Sequence, residues 1–144
     1  MLRKILATAL VAASFGIATA PAMANQVKIQ QWGLGHTAGG AQTGTSNRIG
    51  VYQTGRWNQA VANQTGRRNQ AAIGQEGVNN FADTWQRGRD NAAGIGQFGT
   101  NHTAILTQDG NRNIAAGVQV GNGCDANVTQ AGRGNVAAFV QTCN

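Results

Sequence analysis

From residue 27 onward, polar and apolar side chains recur in a register of 11 residues that carries no insertion. Each copy opens on Gln, at Gln31, Gln42, Gln53, Gln64, Gln75, Gln86, Gln97, Gln108, Gln119, Gln130 and Gln141. Gly follows two places later, at Gly33, Gly44, Gly55, Gly66, Gly77, Gly88, Gly99, Gly110, Gly121 and Gly132, until Cys143 breaks the series. Five places after Gln stands Asn in seven of ten copies (Asn47, Asn58, Asn69, Asn80, Asn91, Asn113, Asn135), with His36, His102 and Cys124 in the others. Ala fills offset 7 in nine of ten, and offset 9 is mostly apolar, as at Val51, Ile73, Ile95, Leu106, Val128 and Phe139. Offsets 5, 7, 9 and 11 differ by two, so in an extended chain these side chains share one face. Each repeat therefore predicts a strand of about seven residues, with Val27 and Ile29 holding the same positions ahead of Gln31. An α-helix would scatter the four positions over a wide arc, and its glycines would cost up to about 1 kcal/mol each. The Gly at offset 2 and the two variable residues after it, such as Arg56 and Trp57, are expected to make the reversal, because Gly accepts a positive φ.

Eleven strands joined by equal arcs build either a meander or a solenoid. Offset 9 taken in alternate copies gives a bulkier set (Ile29, Val51, Ile73, Ile95, Gly117, Phe139) and a smaller one (Gly40, Ala62, Thr84, Leu106, Val128). Two unequal sets are what two facing sheets require. The predicted fold is all-β: a parallel in-register β-solenoid of 11 strands, two per 22-residue rung, about 5.5 rungs in all, with Gln and Asn ladders inside. Stacked about 4.8 Å apart, like amides find donor and acceptor in the neighbouring rungs, where an isolated buried one would cost about 1–3 kcal/mol.

Composition agrees with an interior built on amides. Gly, Asn and Gln fill 51 of 144 positions, and charged residues make up only 11%, so few large apolar side chains remain for an ordinary core. Five acids and two histidines are thin material for an active site, and no acid pair or Ser-His set recurs on one face, so no enzymatic activity, metal or cofactor is expected. Residues 1–24 differ in character. Arg3 and Lys4 precede an apolar run from Ile5 to Ala20, and Ala22-Met23-Ala24 supplies the small-x-small pattern of a signal peptidase site. The run falls short of the roughly 20 residues that a spanning helix needs. Residues 1–24 are thus expected to be a cleaved signal peptide, and residues 25–144 a single domain with no membrane span. Losing Arg3 and Lys4 leaves nine cations against five acids, a net charge of +4.

The pattern Gln-x-Gly-x-x-Asn-x-Ala-x-x-x-Gln, as in Gln53 to Gln64 and Gln64 to Gln75, resembles the curlin repeat of curli subunits, the bacterial extracellular amyloid fibre proteins; it runs from about Val27 to Asn144. The resemblance implies a subunit secreted through an outer-membrane pore with dedicated accessory proteins, polymerising on the cell surface into the adhesive fibres of a biofilm matrix, with a second curlin subunit as partner. Only Asn25 and Gln26 stand between the expected cleavage site and Val27, whereas the family's major subunit carries a Gly- and Asn-rich export segment there. Major fibre subunit and surface-anchored nucleator or adhesin both stay open.

Polymerisation is also expected from the pattern itself. A solenoid that stays monomeric shields its end rungs, and neither end of the repeat array shows a polar cap, so unpaired backbone and open Gln ladders should meet another copy. Arg56, Arg67, Arg68, Arg89, Arg112 and Arg133 fall in arcs, with Arg48 and Arg87 at outward offsets, either a solvated exterior or a surface for extracellular polyanions such as DNA or acidic polysaccharide. Glu76, Asp83, Asp90, Asp109 and Asp125 read as outward charges without metal-ligand spacing. His36 and His102 lie three rungs apart, about 14 Å, too far to share a metal, and read as substitutes in the Asn ladder. An ice-binding array would need Thr in line; Thr43, Thr54 and Thr65 begin one, but Glu76, Arg87, Phe98 and Asp109 interrupt it. The only cysteines, Cys124 and Cys143, are expected to form a disulfide in an exported protein, with Cα atoms about 7 Å apart if Cys143 stacks over Gly121.

Overall fold

The computed structural model describes residues 24–144; positions 1–23 of the expected signal peptide lie outside the described residues. Eleven strands follow one another: β1 (Gln26–Leu34), β2 (Thr37–Thr45), β3 (Arg48–Arg56), β4 (Gln59–Arg67), β5 (Gln70–Val78), β6 (Phe81–Arg89), β7 (Ala92–Thr100), β8 (Thr103–Asn111), β9 (Ile114–Asn122), β10 (Asp125–Arg133) and β11 (Val136–Cys143). Odd-numbered strands form a six-stranded sheet in the order β1-β3-β5-β7-β9-β11, and even-numbered strands a five-stranded sheet, β2-β4-β6-β8-β10. All pairs are parallel, and each residue stands beside the one 22 positions on, as Gln53 beside Gln75 and Gln64 beside Gln86. The fold is the parallel in-register β-solenoid that the 11-residue register predicts.

The strands are longer than the expected seven residues and the reversal sits elsewhere. Ten strands have nine residues and β11 has eight, because the ladder runs on through the Gly at offset 2, as where Gly55 pairs with Gly77. The arc shrinks to two residues. Its first, at offset 4, adopts the left-handed conformation whatever its side chain: Ser46, Trp57, Arg68, Asn79, Asp90, Asn101 and Arg112 have φ of 55–58°. That conformation costs a non-glycine residue about 1–2 kcal/mol. Part is recovered along the column, since the Arg68 N–H donates to the Thr45 carbonyl at 3.0 Å and the Asp90 N–H to that of Arg67 at 3.0 Å. Gly at offset 2 is required for a different reason. Gly66 has φ +122°, and a Cβ there would fall 1.9 Å from the carbonyl oxygen of Gly88 in the next rung.

Between the sheets lies a thin core. Ala60, Ala71, Ala82, Ala93, Ala104 and Ala115 keep the sheets close, and Ile49, Val51, Ile73, Ile95 and Leu106 fill the remainder. Where the five-stranded sheet contributes the bulky Leu106, the six-stranded sheet offers Gly117, whose missing side chain makes room for the Phe139 ring. Thr84 shares this core fully buried, with no partner for its hydroxyl. Thr84→Val keeps the shape and removes the unpaired oxygen, so we expect a gain of about 1–2 kcal/mol in a denaturant titration; a loss of that size would mean that the hydroxyl is bonded.

Candidate assembly site: amide ladders and end rungs

Every Gln of the series points inward, and from Gln31 to Gln119 each Nε2 donates to Oε1 of the Gln one rung on, at 2.7–2.9 Å. The second hydrogen crosses to the opposite sheet, to a carbonyl 16 residues earlier: Gln53 to Thr37 at 3.1 Å, Gln86 to Gln70 at 2.8 Å, Gln108 to Ala92 at 3.0 Å. One side chain thus ties rung to rung and sheet to sheet. Gln53, Gln64, Gln75, Gln86, Gln97, Gln108 and Gln119 are fully buried. Each gains charge-free hydrogen bonds that polarise one another along the column.

The Asn series works differently from the expected amide-on-amide ladder. Its Oδ1 accepts from the backbone N–H of the residue one rung on, as Asn47 from Asn69 (3.0 Å), Asn69 from Asn91 (3.1 Å) and Asn91 from Asn113 (3.0 Å). Its Nδ2 donates to the carbonyl of a Gly in the next rung, Asn58 to Gly77 at 3.1 Å and Asn80 to Gly99 at 3.0 Å. Asn is one methylene shorter than Gln and bonds chiefly to backbone; only Asn135, at the last rung, also donates to its counterpart, Asn113 Oδ1, at 3.1 Å. His102 enters the same column. Its Nδ1 accepts from the Cys124 N–H at 3.1 Å and its Nε2 meets the Phe98 carbonyl at 3.2 Å, so the imidazole reproduces the acceptor and donor of Asn. His36 does the same toward Asn58 and Trp32.

The remaining sequence candidates fall on the exterior or at one end. Cys124 and Cys143 are joined, with Cα atoms 5.5 Å apart rather than about 7 Å. Thr43 and Thr65 lie in the five-stranded sheet and Thr54 in the other, so they form no single array. Among the described residues no three His, Cys, Asp or Glu side chains converge as a metal site would need. The arginines divide unequally: Arg67, Arg89 and Arg133 end even-numbered strands and Arg68 and Arg112 follow them, all along one edge, whereas Arg56 lies on the other. On the basic edge Arg68 forms a bidentate pair with Asp90 (Nε to Oδ1 2.6 Å, Nη2 to Oδ2 2.9 Å). That hydrogen bond holds the Asp90 carboxyl below its usual range.

Asp83 is not a plain surface charge. It stands between Val61 and Ile105 on the outer face of the five-stranded sheet, with Oδ1 buried and unpartnered, and burial raises its pKa. The folded chain therefore holds this proton more tightly than the unfolded chain. The associated stability is fully present below the unfolded pKa and is lost as pH rises through the raised folded value. Asp83→Asn should be the more stable chain at pH 7, with the advantage gone by about pH 3, in thermal melts at both; an equal difference at the two pH values would refute it.

A column of identical rungs, tied inside by amides and open along its axis, defines a repetitive β-solenoid protein. A family model described as the curlin associated repeat matches residues 44–77, 77–110 and 103–132, and the chain belongs to the curlin repeat family. No curated protein matches the sequence at a significant level.

Proposed function

We propose that this chain is a structural subunit of an extracellular, curli-like functional amyloid fibre, assembling end to end at the bacterial cell surface for adhesion and biofilm matrix. In this reading residues 1–24 are a cleaved export signal, residues 25–144 are the fibre-forming domain, and no step is enzymatic. One observation carries it: all Gln ladder bonds point the same way along the axis. The β1–β2 end of the described solenoid thus offers the Oε1 acceptors of Gln31 and Gln42, and the β10–β11 end the Nε2 donors of Gln130 and Gln141. Such ends match each other and not themselves, and a heterologous contact of that kind gives filaments. Within each copy the arginine-lined edge would offer an acidic matrix polymer a row of cations.

A second reading, a nucleator that templates another curlin subunit, is favoured by Cys143, which interrupts the Gly column and locks the last rung covalently to Cys124. Both are tested on residues 25–144 with the disulfide intact. The fibre subunit assembles alone, binds amyloid dyes and diffracts at about 4.8 Å along the fibre. The nucleator instead chiefly shortens the lag of a second curlin subunit. A chain that stays monomeric both alone and with that partner defeats both readings.

A further inference from the structure

Resting on the fibre reading, we propose that successive copies of this chain stack with a half-turn between them, so that β10 of one copy pairs with β1 of the next and β11 with β2. The reason begins with parity. The eleven strands of the described residues place β11 in the same sheet as β1, so in the described solenoid the six-stranded sheet extends one strand beyond the five-stranded sheet. If the next copy stacked unrotated, its β1 would cover β11, and the five-stranded sheet would lack one strand at every junction. Rotation by half a turn sets the next copy's β1 on β10 and its β2 on β11, and both sheets continue as far as Cys143, the one offset-2 position without Gly, which would lie under Gly44 of the next copy.

Three features of the end rungs fit the rotated arrangement. First, each Gly of the offset-2 column from Gly33 to Gly121 lies beneath a carbonyl oxygen of the following rung, 1.8–2.0 Å from where a Cβ would be; over Gly132 no carbonyl oxygen lies within 4 Å, and the nearest atom is the side-chain Nδ2 of Asn135 at 3.8 Å. This open slot takes the Gly33 carbonyl of the next copy only when β1 lies on β10. Second, the Phe139 ring occupies the space beside Gly117, with ring atoms 1.9–2.6 Å from a would-be Cβ. The half-turn places Gly40 of the next copy, the one other glycine at offset 9, on the far side of that ring. Without rotation Ile29 would stand there. Third, Gln130 meets Gln31 and Gln141 meets Gln42, donor to acceptor, which continues both ladders.

The β1 end also exposes what a covering rung would bury. Val27 and Ile29 face the interior yet are 55% and 42% exposed, whereas Ile49 and Val51, in the same columns one rung on, are 3% exposed. Each copy advances the column by about 26 Å, so an identical face returns on one side only after two copies, about 53 Å.

Cross-linking between outward positions distinguishes the arrangements. Lys28, Asn127 and Ala138 point outward and are exposed, and a Cβ added at Gly39 would meet nothing within 4 Å, so cysteines at these four positions leave the interior untouched. In rotated stacking Lys28 lies beside Asn127, and Gly39 beside Ala138, about 4.8 Å apart and within disulfide reach. In unrotated stacking Lys28 lies beside Ala138. Chains of residues 25–144 with the native disulfide intact would be assembled, oxidised with copper phenanthroline and run on denaturing gels, with Lys28→Cys alone as the control for thiol exchange. Covalent multimers are expected from Lys28→Cys with Asn127→Cys and from Gly39→Cys with Ala138→Cys, and only the control pattern from Lys28→Cys with Ala138→Cys. Multimers from the last pair, or none from the first two in fibres that diffract at about 4.8 Å, overturn the half-turn and leave the fibre reading standing. If the parent chain yields no sedimentable cross-β material, the fibre reading itself falls.

Discussion

Gln86→Ala is expected to destabilise the folded chain by about 3–6 kcal/mol, a large part of the total stability of a domain this size. The substitution removes one amide and strands three groups. Gln64 Nε2 loses its acceptor at 2.7 Å, Gln108 Oε1 loses its donor at 2.8 Å, and the Gln70 carbonyl loses a bond of 2.8 Å. Gln64 and Gln108 are fully buried, so each of their stranded groups costs about 1–3 kcal/mol, and the cavity left by the shortened side chain adds to the loss. Gln86→Glu keeps the shape but sets a carboxylate oxygen against the Gln108 oxygen and the Gln70 carbonyl. The buried acid would favour its protonated form, so the damage should be greatest at pH 7 and partly relieved in acid. Gln70→Ala is the control, because the Gln70 side chain is exposed and outside the ladder. Guanidinium titration followed by far-ultraviolet circular dichroism separates the three. A Gln86→Ala loss no greater than that of Gln70→Ala would mean that the ladder contributes nothing.

Gly88→Ala should cost about 4 kcal/mol or more, and Gly94→Ala should cost nothing. Both add one methyl group to a strand. At Gly88, with φ +112°, that methyl would lie 1.9 Å from the Gly110 carbonyl oxygen, part of the backbone of the next rung. Neither atom can turn aside, so the rungs must separate at this edge, and the strained φ adds about 1–3 kcal/mol. Asn69 would suffer as well, since its Nδ2 donates to the Gly88 carbonyl at 3.0 Å. At Gly94 a Cβ meets nothing within 4 Å and φ is ordinary. There Ala restricts the unfolded chain and should add about 0.5–1 kcal/mol. Equal losses in the two variants would contradict the rung spacing that underlies the end-to-end contact.

The inward face was legible because a strand has a side-chain period of two and the repeat keeps its phase through 11 copies. Gln at offset 0, Asn at 5, Ala at 7 and the apolar residue at 9 needed no tertiary information to be assigned to one side. Unequal residue sizes at offset 9 in alternate copies were enough to separate the two sheets, Val51 and Ile73 in one, Ala62 and Thr84 in the other. The arc was misplaced by two residues. Gly at offset 2 looked like the turn residue, because glycine at a positive φ carries the same signal whether it bends a chain or lets two backbones approach. Trp57 and Arg112 gave no warning that they would take the left-handed conformation, which their side chains disfavour and only the closed rung imposes.

What the linear order determined, then, was the period, the strand count, the facing residues and the stacking of like on like, since these depend on identity and spacing alone. The three-dimensional column decided which partner each amide takes. Gln is long enough to meet its counterpart one rung away and a carbonyl across the interior, whereas Asn, one methylene shorter, bonds mainly to backbone and meets its counterpart only where Asn135 donates to Asn113. It also decided that Asp83 would be half-buried between Val61 and Ile105, because those neighbours come from strands 22 residues away in sequence and become adjacent only when the rungs close.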